Sequence, residues 1–309
     1  MSGGLLKDRV AIVTGGARGI GKALVEDFVA QGAKVVIADN GTSAAGEGAD
    51  PKPAQDLAKA LGNNTLAFTE SVASPSAAKA LVDLAVNQFG ALDIVVNNAA
   101  ILRDALVFKQ DPGDFQAVVQ TNLLAPFFLI NAASPVLRDQ FKAGRAFGRI
   151  LNIGSTAGLY GNHGQIAYGA TKAALLALTR ITAQEMVRSG VTSNLLVPFA
   201  YSRITDTIPD NIPAFAKYKK GALRISPKHV AVLATMLASD LGAKITGQVV
   251  AVRGREHWLF SQPRPAARIV RTDADWTPES LAAAYEKDFA PKFTDLTTDL
   301  EHFNAEPVI

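Results

Sequence analysis

The chain has 309 residues, 48% of them hydrophobic, a formal net charge of +3 and no cysteine. That apolar content supports a sizeable buried core and excludes a disordered chain, and the missing thiols exclude a disulfide framework or a thiolate metal site. The charge excess is too small to indicate a nucleic-acid partner.

The amino-terminal run Met1-Ser2-Gly3-Gly4-Leu5-Leu6-Lys7-Asp8-Arg9 is broken by charges before a signal-peptide core can form. No apolar run approaches the roughly 20 residues of a membrane span, so a cytoplasmic chain without one is expected. Residues 10–13 read as a buried strand, followed by a helical pattern over 19–31 and a second strand over 34–38. Residues 40–53, rich in Gly, Ala and Ser, read as a mobile loop. Further strands are expected at 66–68, 93–96, 149–153 and 193–197, with the last at 248–252. These Val/Ile/Leu runs lack polar alternation, as in strands covered on both faces. Alternating with helical patterns, they predict an α/β fold: a Rossmann-type doubly wound parallel sheet in a single domain, residues 1–255.

Residues 201–225, with prolines and a basic stretch, read as a lid. Residues 256–309 form a C-terminal extension expected to pack on the domain or on a partner subunit; the polar stretch from Gly254 begins with an arginine-rich run at Arg255, Arg264, Arg268 and Arg271. Within it, Thr277-Pro278-Glu279-Ser280 has the pattern of a helix start. Four scattered histidines (His163, His229, His257, His302) carry no paired ligand spacing, so no metal is expected.

The first strand runs into Thr14-Gly15-Gly16-Ala17-Arg18-Gly19-Ile20-Gly21. Glycines there allow a tight turn and a close backbone approach to a pyrophosphate, and the following helix aims its N–H groups at that anion. Asp39 ends the second strand, 18 residues beyond Gly21, about where an acid that accepts from ribose hydroxyls is expected. A carboxylate repels a 2′-phosphate, which favours NAD over NADP. Arg18 points the other way, since it can pair with such a phosphate.

Tyr168 and Lys172 lie four positions apart, one helical turn, and so share a face. An ammonium beside a phenol favours the phenolate and lowers its pKa, which would let the tyrosine exchange a proton near neutral pH. A nucleotide turn and such a tyrosine in one chain suggest hydride chemistry on an alcohol or a ketone.

The sequence resembles the short-chain dehydrogenases/reductases over about residues 7–255. The resemblance rests on the TGGARGIG turn, Asn97-Asn98-Ala99-Ala100 after the fourth strand, Asn122, Ser155 and the Tyr168/Lys172 pair. It implies Tyr168 as the proton-exchanging group, Ser155 bonding the substrate oxygen, Asn122 holding a relay water, and Lys172 also holding the nicotinamide ribose. It further implies cofactor contacts at Gly15, Arg18, Gly19, Ile20, Gly21, Asp39, Ser71, Val72, Asn98, Ala99, Ala100, Tyr168, Lys172 and Pro198.

Three positions depart from the family pattern. Ala100 stands for a usual glycine, Phe199 follows Pro198 where glycine is common, and Ser71 replaces an aspartate at the adenine end. Taken singly, other readings stay open: Ser155 as a strand-end serine, Asn122 as a helix-interior asparagine bonded to backbone, Tyr168 as a core tyrosine.

A narrower resemblance, at Pro198-Phe199-Ala200-Tyr201-Ser202-Arg203-Ile204-Thr205, in the loop after Asp39 and at Trp276-Thr277-Pro278-Glu279, is to the (3R)-hydroxyacyl-CoA dehydrogenase domains of peroxisomal multifunctional enzymes. It implies NAD, a 3-hydroxyacyl-CoA or steroid substrate and a dimer. Lys217, Lys219, Lys220 and Arg224 are candidates to meet coenzyme A phosphates. Phe199, Tyr201, Ile204, Ile208, Ile212 and Phe215 are candidates to line an apolar pocket. A hydroxysteroid dehydrogenase, a 3-oxoacyl reductase and a non-catalytic NAD-binding regulator are the alternatives. Subunit pairing into a homodimer or homotetramer is expected through helices at 115–140 and 165–188.

Overall fold

A computed structural model describes residues 4–145, 147–206, 208, 211 and 213–309, with residues 204 and 214 by backbone alone. The chain divides into two compact units, Met1–Phe260 with Thr298–Ile309, and Ser261–Thr297.

The first unit is built on one sheet. Its strands are β1 (Val10–Thr14), β2 (Lys34–Ala38), β3 (Thr65–Phe68), β4 (Ile94–Asn97), β5 (Gly148–Ile153), β6 (Val191–Phe199), β7 (Val249–Arg253) and β8 (Glu256–Leu259), in the order β3-β2-β1-β4-β5-β6-β7-β8. All neighbours are parallel except β7 and β8. The helices are α1 (Gly19–Ala30), α2 (Lys52–Leu61), α3 (Pro75–Phe89), α4 (Pro112–Val119), α5 (Ala125–Lys142), α6 (Ile166–Met186), α7 (Arg203–Asp206), α8 (Pro213–Ala222), α9 (Lys228–Ala238), α10 (Pro278–Asp288) and α11 (Asp299–His302).

The strand pattern explains the layers. Ala11, Val13, Val35, Ile37, Ile94 and Val96 face one core with Leu24, Val25 and Phe28 of α1 and with α9. Val10, Ile12, Val36 and Val95 face another, with Leu81 and Val82 of α3 and Leu129 and Leu137 of α5. Both faces of the central strands are therefore dry, and alternation disappears from the sequence. Each fully buried Leu or Phe contributes about 1.5–3 kcal/mol, so packing on the sheet rather than helix propensity holds these layers.

Two expectations need correction. Residues 248–252 are not the last strand: a two-residue turn, Gly254-Arg255, leads into the antiparallel edge strand β8, with Arg253 opposite Glu256. Gly254 has φ +60°, which suits the first central position of such a hairpin. The second concerns the membrane. α4, a π turn (Gln120–Leu124) and α5 run on continuously, so Pro112–Lys142 is, among the described residues, long and apolar enough by length and composition to cross a membrane. Its inner residues Val118, Leu129, Ala133 and Leu137 are buried in the core of the domain, which accounts for the apolar composition.

In the second unit, Thr277 caps α10: its hydroxyl accepts from Ser280 N, and Ser280 answers at Thr277 N, as the Thr-Pro-Glu-Ser pattern predicts. Arg271 pairs with Asp273 and reaches the Ser280 hydroxyl at 3.2 Å.

Candidate active site

The carboxyl ends of β1, β2, β4, β5 and β6 open on a cavity of about 570 Å³ in the first unit. It lies where the strand order reverses between β1 and β4, the usual ligand crevice of an open α/β sheet.

At one end is the glycine turn. Gly15, Arg18, Gly19, Ile20 and Gly21 all line the cavity. A Cβ on Gly21 would stand 2.0 Å from the Gly15 carbonyl oxygen, so α1 starts against the turn more closely than any side chain allows. Arg18 is the N-cap of α1 but gives it no side-chain hydrogen bond, which leaves the first N–H groups of the helix for another acceptor.

The turn is tied to the end of β4 by the side chains of Thr14 and Asn98, of which the sequence reading gave Asn98 a cofactor contact and Thr14 no role. The Thr14 hydroxyl donates to Val96 O at 3.2 Å and accepts from Asn98 N and Ala99 N at 2.9 and 3.1 Å. Asn98 Nδ2 donates to Thr14 O and Gly15 O. Behind them, Asn97 Nδ2 donates to Asn152 Oδ1, and Asn152 Nδ2 to the Thr179 hydroxyl, each at 2.8 Å. This buried relay joins β4, β5 and α6. Only the repetition of asparagine at strand ends hinted at it.

Asp39 lines the cavity with its carboxylate anchored: Oδ2 accepts from Ala17 N at 3.0 Å and Oδ1 from Gly41 N at 2.8 Å. Arg18 turns to the following loop, donating to Gly41 O and Thr42 O, each at 3.4 Å, with Asp50 at 4.0 Å. That loop, read as mobile, is held by Arg103 Nε on Ala45 O and Leu102 N on Ala44 O. Ser71 and Val72 lie at the same end of the cavity.

At the other end stand Ser155, Tyr168 and Lys172, with Ala99, Ala100 and Pro198 between. Ser155 opens a short 3-10 turn (Thr156–Gly158), its hydroxyl accepting from Ala157 N at 3.2 Å. Tyr168 and Lys172 are buried on one face of α6, as their spacing requires, and Lys172 Nζ lies 5.6 Å from the Tyr168 ring centroid. Ala100 packs its methyl against the Tyr168 cluster.

The electrostatics differ from expectation. Burial pushes the Tyr168 phenol up to about 12; the Ser155 hydrogen bond pulls it down, and the charges of Asp104 and Asp299 push it further up. Burial also pushes Lys172 down to about 8. Its ammonium donates to Ile153 O at 2.7 Å. Desolvation therefore outweighs the attraction that the helical spacing suggested.

Asn122 does not line the cavity. It sits in the π turn, its Oδ1 accepting from Ile101 N at 2.9 Å and its Nδ2 donating to Ile101 O at 3.0 Å. Both polar ends of the side chain pin the loop after β4. A π turn inside a long helix often marks a functional segment, a signal invisible in composition.

The region expected as a lid contributes in part. Phe199, Ile208 and Phe215 line the cavity, joined by Tyr218, Ala222, Asp299 and Leu300, which sequence reasoning missed. Tyr201 is turned away, its hydroxyl 3.2 Å from Asp206 Oδ2. Ile212 and the Ile204 side chain lie outside the described residues. Of the basic run, Arg224 pairs with Glu306 at 2.9 Å and Lys219 donates to Asp206 O and Ile208 O, while Lys217 and Lys220 are exposed. Phe199, in place of a family glycine, turns its ring to Phe303 at 4.8 Å and Trp258 at 6.0 Å.

Comparison with known proteins agrees with this geometry. The sequence matches the short chain dehydrogenase family over residues 9–208. It is 35% identical to hydroxyacyl-CoA dehydrogenase ChsB1 of Mycobacterium tuberculosis over 96% of this chain and 94% of that one. It is 38% identical over 65% of its length to peroxisomal multifunctional enzyme A of Dictyostelium discoideum, a longer protein of which 45% is matched. The fold superposes with TM-score 0.72 on 3-ketoacyl-(acyl-carrier-protein) reductase from Brucella melitensis complexed with NADH, at 26% identity, covering 81% of this chain and 98% of that one. Both the broad and the narrower resemblance read from the motifs are thus found in whole-sequence similarity, and the chain belongs to the short-chain dehydrogenase family, oxidoreductases acting on CH–OH groups.

Proposed function

We propose that the protein interconverts a secondary alcohol and a ketone on a 3-hydroxyacyl-CoA with NAD as partner, working in the cytoplasm as a homodimer or homotetramer. The observation that carries the reading is the convergence of Ser155, Tyr168 and Lys172 with the glycine turn and Asp39 on one cavity.

The residues present fit a dinucleotide. The Gly15–Gly21 contact and the side-chain-free N-terminus of α1 leave a cradle for a pyrophosphate. Asp39 would accept from the adenosine ribose, and its charge favours NAD over NADP, since Arg18 is turned to the loop carbonyls. Ser71 and Val72 would border the adenine. Asn98, Ala99, Ala100, Lys172 and Pro198 would border the nicotinamide half. When bound, the nicotinamide supplies hydride acceptance and return.

The chain's own groups handle the proton. Tyr168 exchanges it with the substrate oxygen at its phenolic oxygen. Ser155 donates to the same oxygen and stabilises alkoxide-like charge. Held protonated by burial, the phenol is set to donate to a carbonyl oxygen. In the oxidising direction Ser155 and the Lys172 ammonium favour its ionised form. Asn122 acts as a positioning residue for the loop after β4.

Relatives support the substrate class, since one is named a hydroxyacyl-CoA dehydrogenase and another a 3-ketoacyl reductase. The second keeps 3-oxoacyl reduction as the alternative reading. Phe199, Ile208, Phe215 and Leu300 give that end of the cavity an apolar lining suited to an acyl chain or a sterol. Exposed Phe127 on α5 and Ile181 on α6 support pairing through those helices.

The test is reduced-nicotinamide absorbance with NAD or NADP and a panel of 3-hydroxyacyl-CoAs, 3-oxoacyl thioesters and hydroxysteroids, for wild type and Tyr168→Phe. Turnover of hydroxyacyl-CoAs with NAD, lost in the variant, is expected. Turnover of hydroxysteroids alone would overturn the substrate class, and wild-type rates in Tyr168→Phe would overturn the mechanism.

A further inference from the structure

Residues 298–309 return from outside the sheet domain's sequence core and close against the reaction centre. They are held by a built clamp. Arg253, nearly buried at the end of β7, pairs with Glu256 at 2.9 Å and donates to Phe303 O at 2.9 Å and Ala305 O at 3.2 Å. Glu256 in turn accepts from Val308 N at 3.1 Å, and Arg255 N donates to Val308 O at 2.8 Å. A Cβ on Gly254 would lie 2.2 Å from Val308 O, so the hairpin glycine also makes room for this strap. Phe303 is buried among Phe199, Tyr160 and Trp258.

So seated, the strap delivers Asp299 and Leu300 to the cavity wall. Asp299 is 5% exposed. Its Oδ2 accepts from the hydroxyl of Thr156, the residue after Ser155, at 2.8 Å. Its Oδ1 is buried and, among the described residues, has no hydrogen-bond partner. A carboxyl half-satisfied in a dry site is costly for stability alone. Phe303 and the Arg253 clamp hold the strap at other points.

We propose that Asp299 is a positioning residue of the reaction centre: by holding the Thr156 hydroxyl it fixes the turn that carries Ser155. The strap is thereby part of the active site rather than a tail. This rests on the reading of Ser155 and Tyr168 given above. The groups that bear on the Tyr168 phenol are Ser155 on the 3-10 turn, Lys172 on α6, Asp104 on the loop after β4, Asp299 on the strap and Tyr218 on α8, with Arg253 near Tyr218. Asp104 and Asp299 act with the same sign, both favouring the protonated phenol. Removing the Asp299 charge therefore leaves Tyr168 easier to ionise.

Full-length Asp299→Asn and Asp299→Leu, compared with wild type across pH 6–10.5, test this. Asparagine keeps an acceptor for Thr156 and removes the charge. In the alcohol-oxidising direction its rising kcat limb should move to lower pH, by about half a unit for a partly screened neighbouring charge. Leucine removes the acceptor as well: kcat should fall on the order of tenfold or more, with the Kd for NADH, read by fluorescence titration, unchanged. Thr156→Val removes the donor of the same contact and should lower kcat alike, with the Kd for NADH unchanged; wild-type kcat in Thr156→Val overturns the proposal, and this variant decides alone if Asp299→Leu does not fold. A loss in Asp299→Leu confined to thermal stability or to NADH affinity also overturns it. Tyr168→Phe run alongside separates the two claims. Retained activity there refutes the catalytic reading itself, whereas an inactive Tyr168→Phe with wild-type kcat in Thr156→Val refutes only the role of Asp299.

Discussion

The two ends of the parallel strands treat buried charge in opposite ways. At the amino ends, Asp93 is fully buried and fully answered: Val10 N donates to Oδ2 at 2.8 Å, and Arg145 donates to Oδ1 at 2.7 Å and to Oδ2 at 2.6 Å. Close by, the Arg9 and Arg149 guanidiniums lie over the Phe147 ring at 3.6 and 4.0 Å. At the carboxyl ends, Tyr168, Lys172 and Asp299 are as deeply buried, but none has a full counter-charge, and burial dominates the shift of each. One end spends its polar groups on satisfying each other. The other keeps ionisable groups desolvated, where a substrate's changing charge is felt most strongly.

The largest effect that sharpens this contrast is expected at Tyr168. Tyr168→Phe deletes only the phenolic oxygen, leaving the ring's packing with Leu102 and Ala157. Turnover should fall on the order of 10²–10⁴-fold, with the thermal midpoint close to wild type. An equal loss of stability and activity would mean the two ends do not differ in kind.

Next comes the pH dependence of stability. A folded Lys172 that releases its proton at about 8 rather than 10.5 means the unfolded chain binds more protons between those values. Stability should therefore rise as pH goes from about 8 towards 10.5, by up to about 3 kcal/mol from this group. Tyr168 has the opposite sign: folded at about 12 against 10 unfolded, it binds more protons when folded, so stability is lost above pH 10. Urea denaturation at pH 7, 8.5 and 10 reads the first limb. Lys172→Met should abolish the rise and be inactive; a rise that persists in the variant would assign it elsewhere.

At the amino end, Asp93→Asn should do the reverse. It removes a charge from a pair in which Arg145 is 36% exposed, so solvent screening limits the loss to about 2 kcal/mol. Per folded molecule, kcat and KM should stay at wild-type values. A changed KM for the dinucleotide would show the two ends coupled.

The same contrast explains what could be read from sequence. The layers were legible because β1, β2, β4 and β5 are apolar on both faces. That the glycine turn, Asp39 and the Tyr168/Lys172 pair meet at one cavity was legible because backbone geometry dictates glycine, and spacing dictates Asp39 and the pair on α6. The edge strand β8 was not, because Glu256-His257-Trp258-Leu259 is neither an apolar run nor a polar–apolar alternation, and its only signal is a Gly-Arg turn. Asp299 was not, because it reaches Thr156 across 143 positions of sequence, and nothing local to Thr-Asp-Leu-Glu marks a cavity wall. The sign of the Tyr168 shift was missed because spacing reports neighbours, whereas desolvation depends on the whole surrounding core.

The smallest of these effects, and the most local, is at Gly21. Its φ is ordinary for a helix, so alanine is not strained there; what opposes it is the Gly15 carbonyl 2.0 Å from the new methyl. Backbone must shift, and the Asn98 amide, 2.7 Å from the same point, must move with it. Gly15 and Asn98 both line the cavity and are not part of the hydrophobic layers. Gly21→Ala should therefore weaken NADH binding by about tenfold, roughly 1.4 kcal/mol. Stability should also fall, by about 1–2 kcal/mol, since the opposing atom is backbone and cannot swing aside, and the helix propensity of alanine offsets only part of that cost. Fluorescence titration and thermal melts on one preparation read both numbers. A large stability loss with unaltered affinity would place Gly21 with the paired, structural end of the sheet rather than with the reactive one.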